Sequence, residues 1–178
     1  MDDNFLGSVI KFVASLFSGS PEVQVSIPLN SPAPASPGID WTNPECNITE
    51  NFKVKDALLL HNWGRLATEA DGADFGKLQV LFNKMEEIRG VLGCEIKVHC
   101  GFRSQAYNES QGIRPVADVH SMSLAVDFDA NEAMTIQQVK DKLEPLLEQL
   151  QIRLERGTTT WVHIDLHSVG PSGRYFTA

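Results

Sequence analysis

The stretch Leu124-Ala125-Val126-Asp127-Phe128-Asp129 alternates in polarity, which predicts a β-strand with one buried face. Its apolar side carries Leu124, Val126 and Phe128, and its other side carries Ala125, Asp127 and Asp129. A second stretch, Trp161-Val162-His163-Ile164-Asp165, places an imidazole between two apolar residues. Because successive side chains of a strand point to opposite faces, Asp127 and His163 are expected on the open face of a sheet.

Further elements flank these two strands. The spacing of apolar residues predicts helices at 52–66, 73–90 and 135–150, and alternation predicts strands at 95–102, 151–155 and 160–167. The last two strands are joined through Gly157 and are expected to form a hairpin. Since the helices come first and the strands follow with one helix between them, the predicted fold class is α+β, with a small antiparallel sheet and helices packed on one side.

The chain divides by composition into three parts. Residues 1–17 carry apolar side chains at helical spacing, which predicts an amphipathic helix that acts as a tether. Residues 18–40 are rich in Ser, Pro and Gly, which is typical of a semi-rigid linker. Residues 41–178 form the predicted folded domain. The helix could dock on that domain, on a partner such as a virion protein, or at a membrane interface.

Composition limits the partners and the compartment. The 178 residues have a formal net charge of -8 and a pI of about 5.0, so binding to nucleic acid is not expected. Three cysteines at irregular spacing do not form a disulfide framework, and we expect free thiols. The start Met1-Asp2-Asp3 lacks the positive charge of a secretory signal, so no cleavable signal peptide is expected.

His120, which precedes the strand that begins at Leu124, completes a group with Asp127 and His163. A lone histidine in a strand is more often structural than a ligand. Two imidazoles and one carboxylate, however, can hold a tetrahedral zinc ion and leave its fourth position open, as in catalytic zinc sites. The sequence therefore predicts one Zn²⁺ on the floor of the sheet, in a hydrolase.

Four motifs resemble those of the M15 zinc peptidases, which cut peptidoglycan stem peptides as D-Ala-D-Ala carboxypeptidases, D,D-dipeptidases or phage endopeptidases. The motifs are Cys100-Gly101-Phe102-Arg103-Ser104, Tyr107-Asn108, the segment from His120 to Asp127, and Trp161-Val162-His163-Ile164-Asp165. They occur in the family's order, and the likeness covers about residues 48–168. The resemblance implies that His120, Asp127 and His163 are zinc ligands and that peptidoglycan stem peptides are the substrate.

The resemblance also implies how the substrate is bound. Arg103 matches the arginine that binds a substrate carboxylate or carbonyl, which suits the rigid fork of a guanidinium. Ser104 and Asn108 are expected to shape the substrate-binding loop beneath it. His167 lies two residues past Asp165 on the predicted face of His163 and is expected to contact the substrate.

The general base is where the chain departs from the family. Several members carry an acid three residues before the last histidine, where this chain has Thr160. We favour Glu155 on the neighbouring strand as the base, because hairpin pairing would bring it beside the metal. Asp165 is the other carboxylate nearby, and we expect it to orient a ligand from outside the coordination shell.

The leading hypothesis is therefore a zinc metallopeptidase of cell-wall degradation, either virion-associated or in the bacterial cell envelope. The predicted tether favours a bacteriophage origin. The alternative is a zinc-bearing peptidoglycan-binding module without catalysis, which the threonine at position 160 favours. A third interpretation, a structural virion or wall protein, predicts no stoichiometric zinc.

Overall fold

The computed structural model describes residues 38–113 and 118–177. The predicted N-terminal helix and nearly all of the predicted linker lie outside these residues. Within them, no helix is both long enough and apolar enough to span a bilayer.

The first half of the domain is built from one long helix and several short elements. In chain order these are α1 (Val54–Leu58), β1 (Leu59–Leu60), β2 (Arg65–Leu66) and α2 (Phe75–Leu92). Asp74 caps α2, since its carboxylate accepts a hydrogen bond from the Lys77 backbone N–H. The helix ends at Gly93, whose φ of 71° is left-handed. The helix predicted at 73–90 is thus present, displaced by about two residues.

The helix predicted at 52–66 is wrong beyond Leu58. The chain turns there into a two-stranded hairpin in which Leu59 pairs with Leu66 and Leu60 pairs with Arg65. Gly64, with a φ of 61°, ends the short 3₁₀ turn between them. A continuous run of leucines fits a buried strand as well as a helix, so periodicity could not separate the two.

The second half supplies the sheet. It contains β3 (Lys97–Cys100), α3 (Gln105–Ser110), β4 (Ala125–Asp129), α4 (Ile136–Leu143), α5 (Leu147–Leu150), β5 (Arg153–Glu155), β6 (Val162–Asp165) and β7 (Tyr175–Phe176). Thr135 caps α4, as its hydroxyl accepts from the Gln138 N–H. The helix predicted at 135–150 is interrupted by a 3₁₀ turn at Glu144–Leu146, where Pro145 cannot donate a backbone hydrogen bond.

Five strands form one sheet in the order β3-β4-β6-β5-β7. The pairings β3–β4, β4–β6 and β6–β5 are antiparallel, and β7 pairs with β5 in parallel. The α+β class is therefore confirmed, but the sheet is mixed and the wholly antiparallel prediction is wrong at its edge. The β7 strand has only two residues, too few to show alternation, and the sequence did not reveal it.

One face of this sheet belongs to the core. Val126, Phe128, Val162, Ile164 and Leu154 are all fully buried. They form one apolar cluster with buried residues of α2, α4 and α5. Since side chains alternate along a strand, the neighbours of these residues are placed on the opposite face. That opposite face carries the polar residues described next.

Candidate metal centre

Strand register puts one residue from each strand at the same level of the sheet. Cys100 pairs with Asp127, and Asp127 pairs with His163. The β5–β6 register, continued by one residue, brings Glu155 opposite His163, and Glu155 pairs with Phe176 of β7. These five residues, from Cys100 to Phe176, are called the polar row below. Residues paired across strands project from the same face, so the row lies on the side opposite the core.

A β-bulge decides which residue of β3 joins the polar row. Val98 pairs with Phe128 and Cys100 with Asp127, so His99 is the extra residue on its strand. His99 instead places its Nε2 2.7 Å from Asp129 Oδ2, outside the row. The bulge thus brings a thiol, and not an imidazole, beside Asp127.

His120 reaches the polar row from the turn before β4. Its side chain is buried, and its Nε2 lies 3.4 Å from Asp127 Oδ2. Its other nitrogen, Nδ1, is 2.7 Å from the carbonyl oxygen of Gly101. The turn itself is held by Asp118, whose Oδ1 accepts from the His120 backbone N–H at 3.1 Å. The ring is therefore fixed with Nε2 toward the carboxylate.

His163 contacts Asp127 from the other side. Its Nδ1 is 2.7 Å from Asp127 Oδ1, and its Nε2 is 3.7 Å from Asp165 Oδ2. Asp165 is in turn held by Arg153, through Nε at 2.7 Å and Nη2 at 2.8 Å. Each imidazole thus presents one nitrogen to Asp127 and the other to an acceptor. That arrangement is usual for metal-binding histidines, because the outer acceptor fixes the tautomer.

The donor atoms are close enough for metal binding. One atom each from Cys100, His120 and Asp127 all lie within 4.8 Å of one another, so this group could hold a metal ion. His163 is not a member of that group: it contacts Asp127 from the other side, and its ring centroid is 5.1 Å from that of His120. Imidazole and carboxylate donors suit zinc as well as other divalent transition metals.

Proton affinities at the site follow from burial and pairing. Burial lowers the pKa of His120, but its hydrogen bond to Asp127 and its contact with Cys100 outweigh this and raise the pKa to about 10. The pKa of His163 is raised too, since Asp127 and Asp165 outweigh burial. Burial raises the pKa of Asp127, but the two imidazoles outweigh this and hold it well below its usual value. A cation that binds here must therefore displace protons.

A cavity of about 310 Å³ opens onto this group. It is lined by Arg103, Asp118, Val119, His120, Asp127, Arg153, Glu155, Trp161, His163 and Phe176. The two predicted catalytic residues, Arg103 and Glu155, thus share one cavity with the three predicted ligands. A larger apolar cavity of about 650 Å³ is lined by other residues, including Trp41 and Phe75, and none of the predicted site residues lines it.

Arg103 is anchored at one end only. Its Nη2 lies 3.5 Å from Asp118 Oδ1. Its Nε is buried and has no hydrogen-bond partner among the residues that the structure describes. An unpaired buried donor is costly, and because this Nε is shielded from the cavity, the guanidinium must rotate before the Nε can donate to a ligand oxygen there.

Ser104 and Asn108 support this arrangement from below. Ser104 caps α3, with its Oγ accepting from the Tyr107 N–H at 3.1 Å. The Asn108 side-chain amide donates to the carboxylate of Asp118, which also contacts Arg103. Both residues are buried and neither lines the cavity. Both residues thus lie beside Arg103 and Asp118 without direct access to the cavity, and their part in binding a substrate stays a prediction.

Two further predicted residues lie near the end of β6. Asp165 is fully buried and contacts His163 from outside the group, the position expected of a residue that orients a ligand. His167 lies beyond the strand, where its backbone N–H donates to Asp165 Oδ1 at 2.8 Å. His167 does not line the cavity.

Sequence reasoning missed six residues of the site. Five of them line the cavity, namely Asp118, Val119, Arg153, Trp161 and Phe176, and Cys100 lies beside Asp127. A usable signal existed for Arg153, because a residue two positions from Glu155 on one strand shares its face. The same spacing links Trp161 to His163, whereas Cys100 and Phe176 are placed by strand pairing that the local sequence does not encode.

Comparison with known proteins adds no relative: no family model, no curated protein and no solved structure matches this chain.

Proposed function

We propose that the protein is a zinc-dependent peptidase that hydrolyses amide bonds of peptidoglycan stem peptides. One observation carries the proposal. A buried carboxylate lies between two histidines, each of which has its outer nitrogen facing an oxygen acceptor, and the group opens onto a cavity that Arg103 and Glu155 also line. The sequence motifs supply the substrate class.

His120 Nε2, Asp127 and His163 Nδ1 are the atoms that would hold the ion. Three protein ligands leave a coordination position open, which distinguishes catalytic from structural zinc. Zinc, when bound, supplies Lewis acidity that activates water as a nucleophile near neutral pH. The remaining work of the reaction falls to the protein's own side chains.

Arg103 binds and orients the substrate. Its unpaired Nε faces no competitor among the described residues, while Asp118 holds the far end of the guanidinium. A fork of this kind recognises a carboxylate or a carbonyl oxygen with defined geometry. The peptide is thereby fixed with its amide above the polar row.

Glu155 moves the protons. It lines the same cavity and is brought beside His163 by the β5–β6 pairing. As general base it accepts the proton of the attacking water and then passes it to the leaving amine nitrogen. Thr160, in contrast, is exposed and does not line the cavity, so it takes no part in this step.

The test is mass spectrometry of purified muropeptides after incubation with the zinc-loaded protein. We expect a new amide cleavage that a chelator abolishes, and a loss of about 10²- to 10⁴-fold in rate for Glu155→Gln. Glu148→Gln, an exposed glutamate outside the cavity, is the matched control and should keep full activity. Absence of turnover by the zinc-loaded wild type would refute the proposal.

The second candidate is a zinc-bearing module that binds stem peptides without cutting them. The observation in its favour is the threonine at position 160. It predicts stoichiometric zinc and muropeptide binding, with identical mass spectra before and after incubation.

We propose a virion or a bacterial cell envelope as the place of action. This proposal rests on the tether and the linker predicted in residues 1–40. In the test, residues 1–40 are fused to a reporter protein. Retention of the fusion on particles or liposomes supports the proposal, and its failure to associate with either counts against it.

A further inference from the structure

Cys100 is the member of the polar row that the proposed reaction does not use. We propose that it is a metal ligand, and that Cys100, His120 and Asp127 bind a thiophilic divalent cation in a mode distinct from hydrolysis. The inference rests on the proposed function only in taking His120 and Asp127 as metal ligands.

The first support is position. Asp127 lies at the centre of three paired strands, with Cys100 opposite it on β3 and His163 opposite it on β6. The two partners therefore approach the carboxylate from opposite sides. The result is two overlapping triads that share His120 and Asp127 and differ in their third donor.

The second support is distance. One donor atom from each of Cys100, His120 and Asp127 lies within 4.8 Å of the other two. Zinc–ligand bonds of about 2.0–2.3 Å require donor atoms roughly 3.5 Å apart in a tetrahedron. The separations in this group thus exceed those of a bound state by at most roughly 1 Å, and the Cys100 Sγ is already 3.9 Å from His120 Nδ1.

The third support is access. Cys100 is only half-buried, and it lines a separate small cavity of about 170 Å³ together with His61 and His99. Cys100 is therefore reachable from a cavity that neither Arg103 nor Trp161 lines. The substrate cavity, by contrast, is lined by the imidazoles and the carboxylate.

The chemical nature of the three donor atoms determines which cations bind to Cys100, His120 and Asp127. A thiolate is a soft donor and favours ions such as Cd²⁺ over harder ones. On binding, the Cys100 S–H releases its proton to solvent and a sulfur–metal bond forms, with no change of oxidation state. Because His120 and Asp127 are occupied in both modes, a cation bound with Cys100 excludes the hydrolytic ion.

The test is titration of the reduced full-length protein with Cd²⁺, followed by sulfur-to-cadmium charge-transfer absorption in the ultraviolet. The key variant is the double substitution Cys46→Ser/Cys94→Ser, which leaves Cys100 as the sole thiol and changes nothing at the site. We expect it to give the band with one equivalent of Cd²⁺, as the wild type does. Absence of the band from this variant would overturn the inference.

Two further variants test which side chains bind the Cd²⁺ ion. Cys100→Ser should lose the band although two other cysteines remain, and His163→Gln should keep it. A band that survives Cys100→Ser at one equivalent, or one that His163→Gln abolishes, contradicts the proposed donor set. Hydrolysis is scored separately on the zinc-loaded wild type, so a cadmium band without peptidase activity removes the proposed function and leaves this inference standing.

Discussion

Asp127 is the residue on which the site depends, because its two oxygens contact both imidazoles. The raised pKa values of His120 and His163 mean that these groups stabilise the metal-free fold when protonated. That stabilisation is complete below the unfolded value of 6.5 and is lost as the pH rises, for His120 through about 10. The lowered pKa of Asp127 acts oppositely, and its contribution is lost as the pH falls below 3.8.

We therefore predict that the chelator-treated protein loses stability steadily as the pH rises from about 6.5 to 10. The measurement is the urea midpoint at a series of pH values. Asp127→Asn should flatten this dependence, because the neutral amide no longer favours protonated imidazoles. Asp129→Asn, on the same strand but outside the cavity, is the control, and an equal slope in Asp127→Asn and wild type would contradict the prediction.

Individual residues were predictable where their strands carry a strong pattern. Asp127 and His163 each interrupt an apolar alternation, so their face could be read from the sequence. Cys100 could not be found in this way, because the bulge at His99 shifts the register of β3 by one position. The contact that gives Arg153 its place in the site is its hydrogen bond to Asp165, 12 residues away, which the local pattern does not show.

Among the elements, α1 approaches the residue that follows β3 very closely. A Cβ built on Gly101 would lie 2.5 Å from the carbonyl oxygen of Ala57 and 2.9 Å from its Cα. Both are backbone atoms and cannot move aside without displacing α1. Gly101 also supplies the carbonyl that faces His120. Helix position and ligand orientation therefore depend on one glycine.

We predict that Gly101→Ala destabilises the protein by about 1–3 kcal/mol, the usual cost of overpacking. The matched control is Gly90→Ala in α2, where an added Cβ meets nothing within 4 Å. Since alanine is the better helix former, this control should gain roughly 0.5–1 kcal/mol. Chemical denaturation measures both, and an unchanged midpoint for Gly101→Ala would show that α1 moves freely.

The loop between β5 and β6 is held by a lysine from α4. Lys140 is 2 % exposed, and its Nζ donates to the carbonyls of Arg156 and Thr158 at 2.9 and 2.6 Å, and to the Thr158 hydroxyl at 2.8 Å. This loop follows Glu155 and precedes Trp161. The helix thereby positions two residues of the cavity.

We predict that Lys140→Met costs about 1–3 kcal/mol, because two loop carbonyls lose their donor. Lys142→Met, exposed on the same helix, should be neutral within about 0.5 kcal/mol. Hydrogen exchange of the loop amides supplies the second measurement. We expect faster exchange in Lys140→Met, and equal exchange rates in the two variants would refute the role given to this lysine.

Elements with a long apolar period could be predicted, and short ones could not. The strong spacing of Leu78, Leu81, Met85 and Ile88 identified α2 to within about two residues. The apolar spacing of the leucines at the end of α1 fits a helix as well as a strand. Hydrogen bonding to β2 stabilises the strand in the folded protein. Parallel pairing of β7 with β5 is a contact between distant segments, which periodicity does not report.

At the scale of the whole molecule, metal binding and folding are linked. A ligand that binds only the native state stabilises it by RT ln(1 + [L]/Kd), or about 2.7 kcal/mol at a concentration of 100 Kd. We predict that Zn²⁺ raises the melting temperature of the wild type and leaves Asp127→Asn unchanged. Asp129→Asn should respond like the wild type. A wild-type melting temperature independent of Zn²⁺ would contradict the assignment of the metal centre.

The polar row takes one residue from every strand of the sheet, and the spatial order of those strands, β3-β4-β6-β5-β7, differs from their order in the chain. Asp127 and His163 are 36 positions apart, and Glu155 pairs with Phe176 of β7, which comes after β6 in the chain. Consequently a proteolytic fragment that ends before β6 keeps His120 and Asp127 but loses His163, one of the three proposed ligands. Metal uptake that requires His163 would thus report that β6 has joined the sheet, a step that helical circular dichroism does not detect.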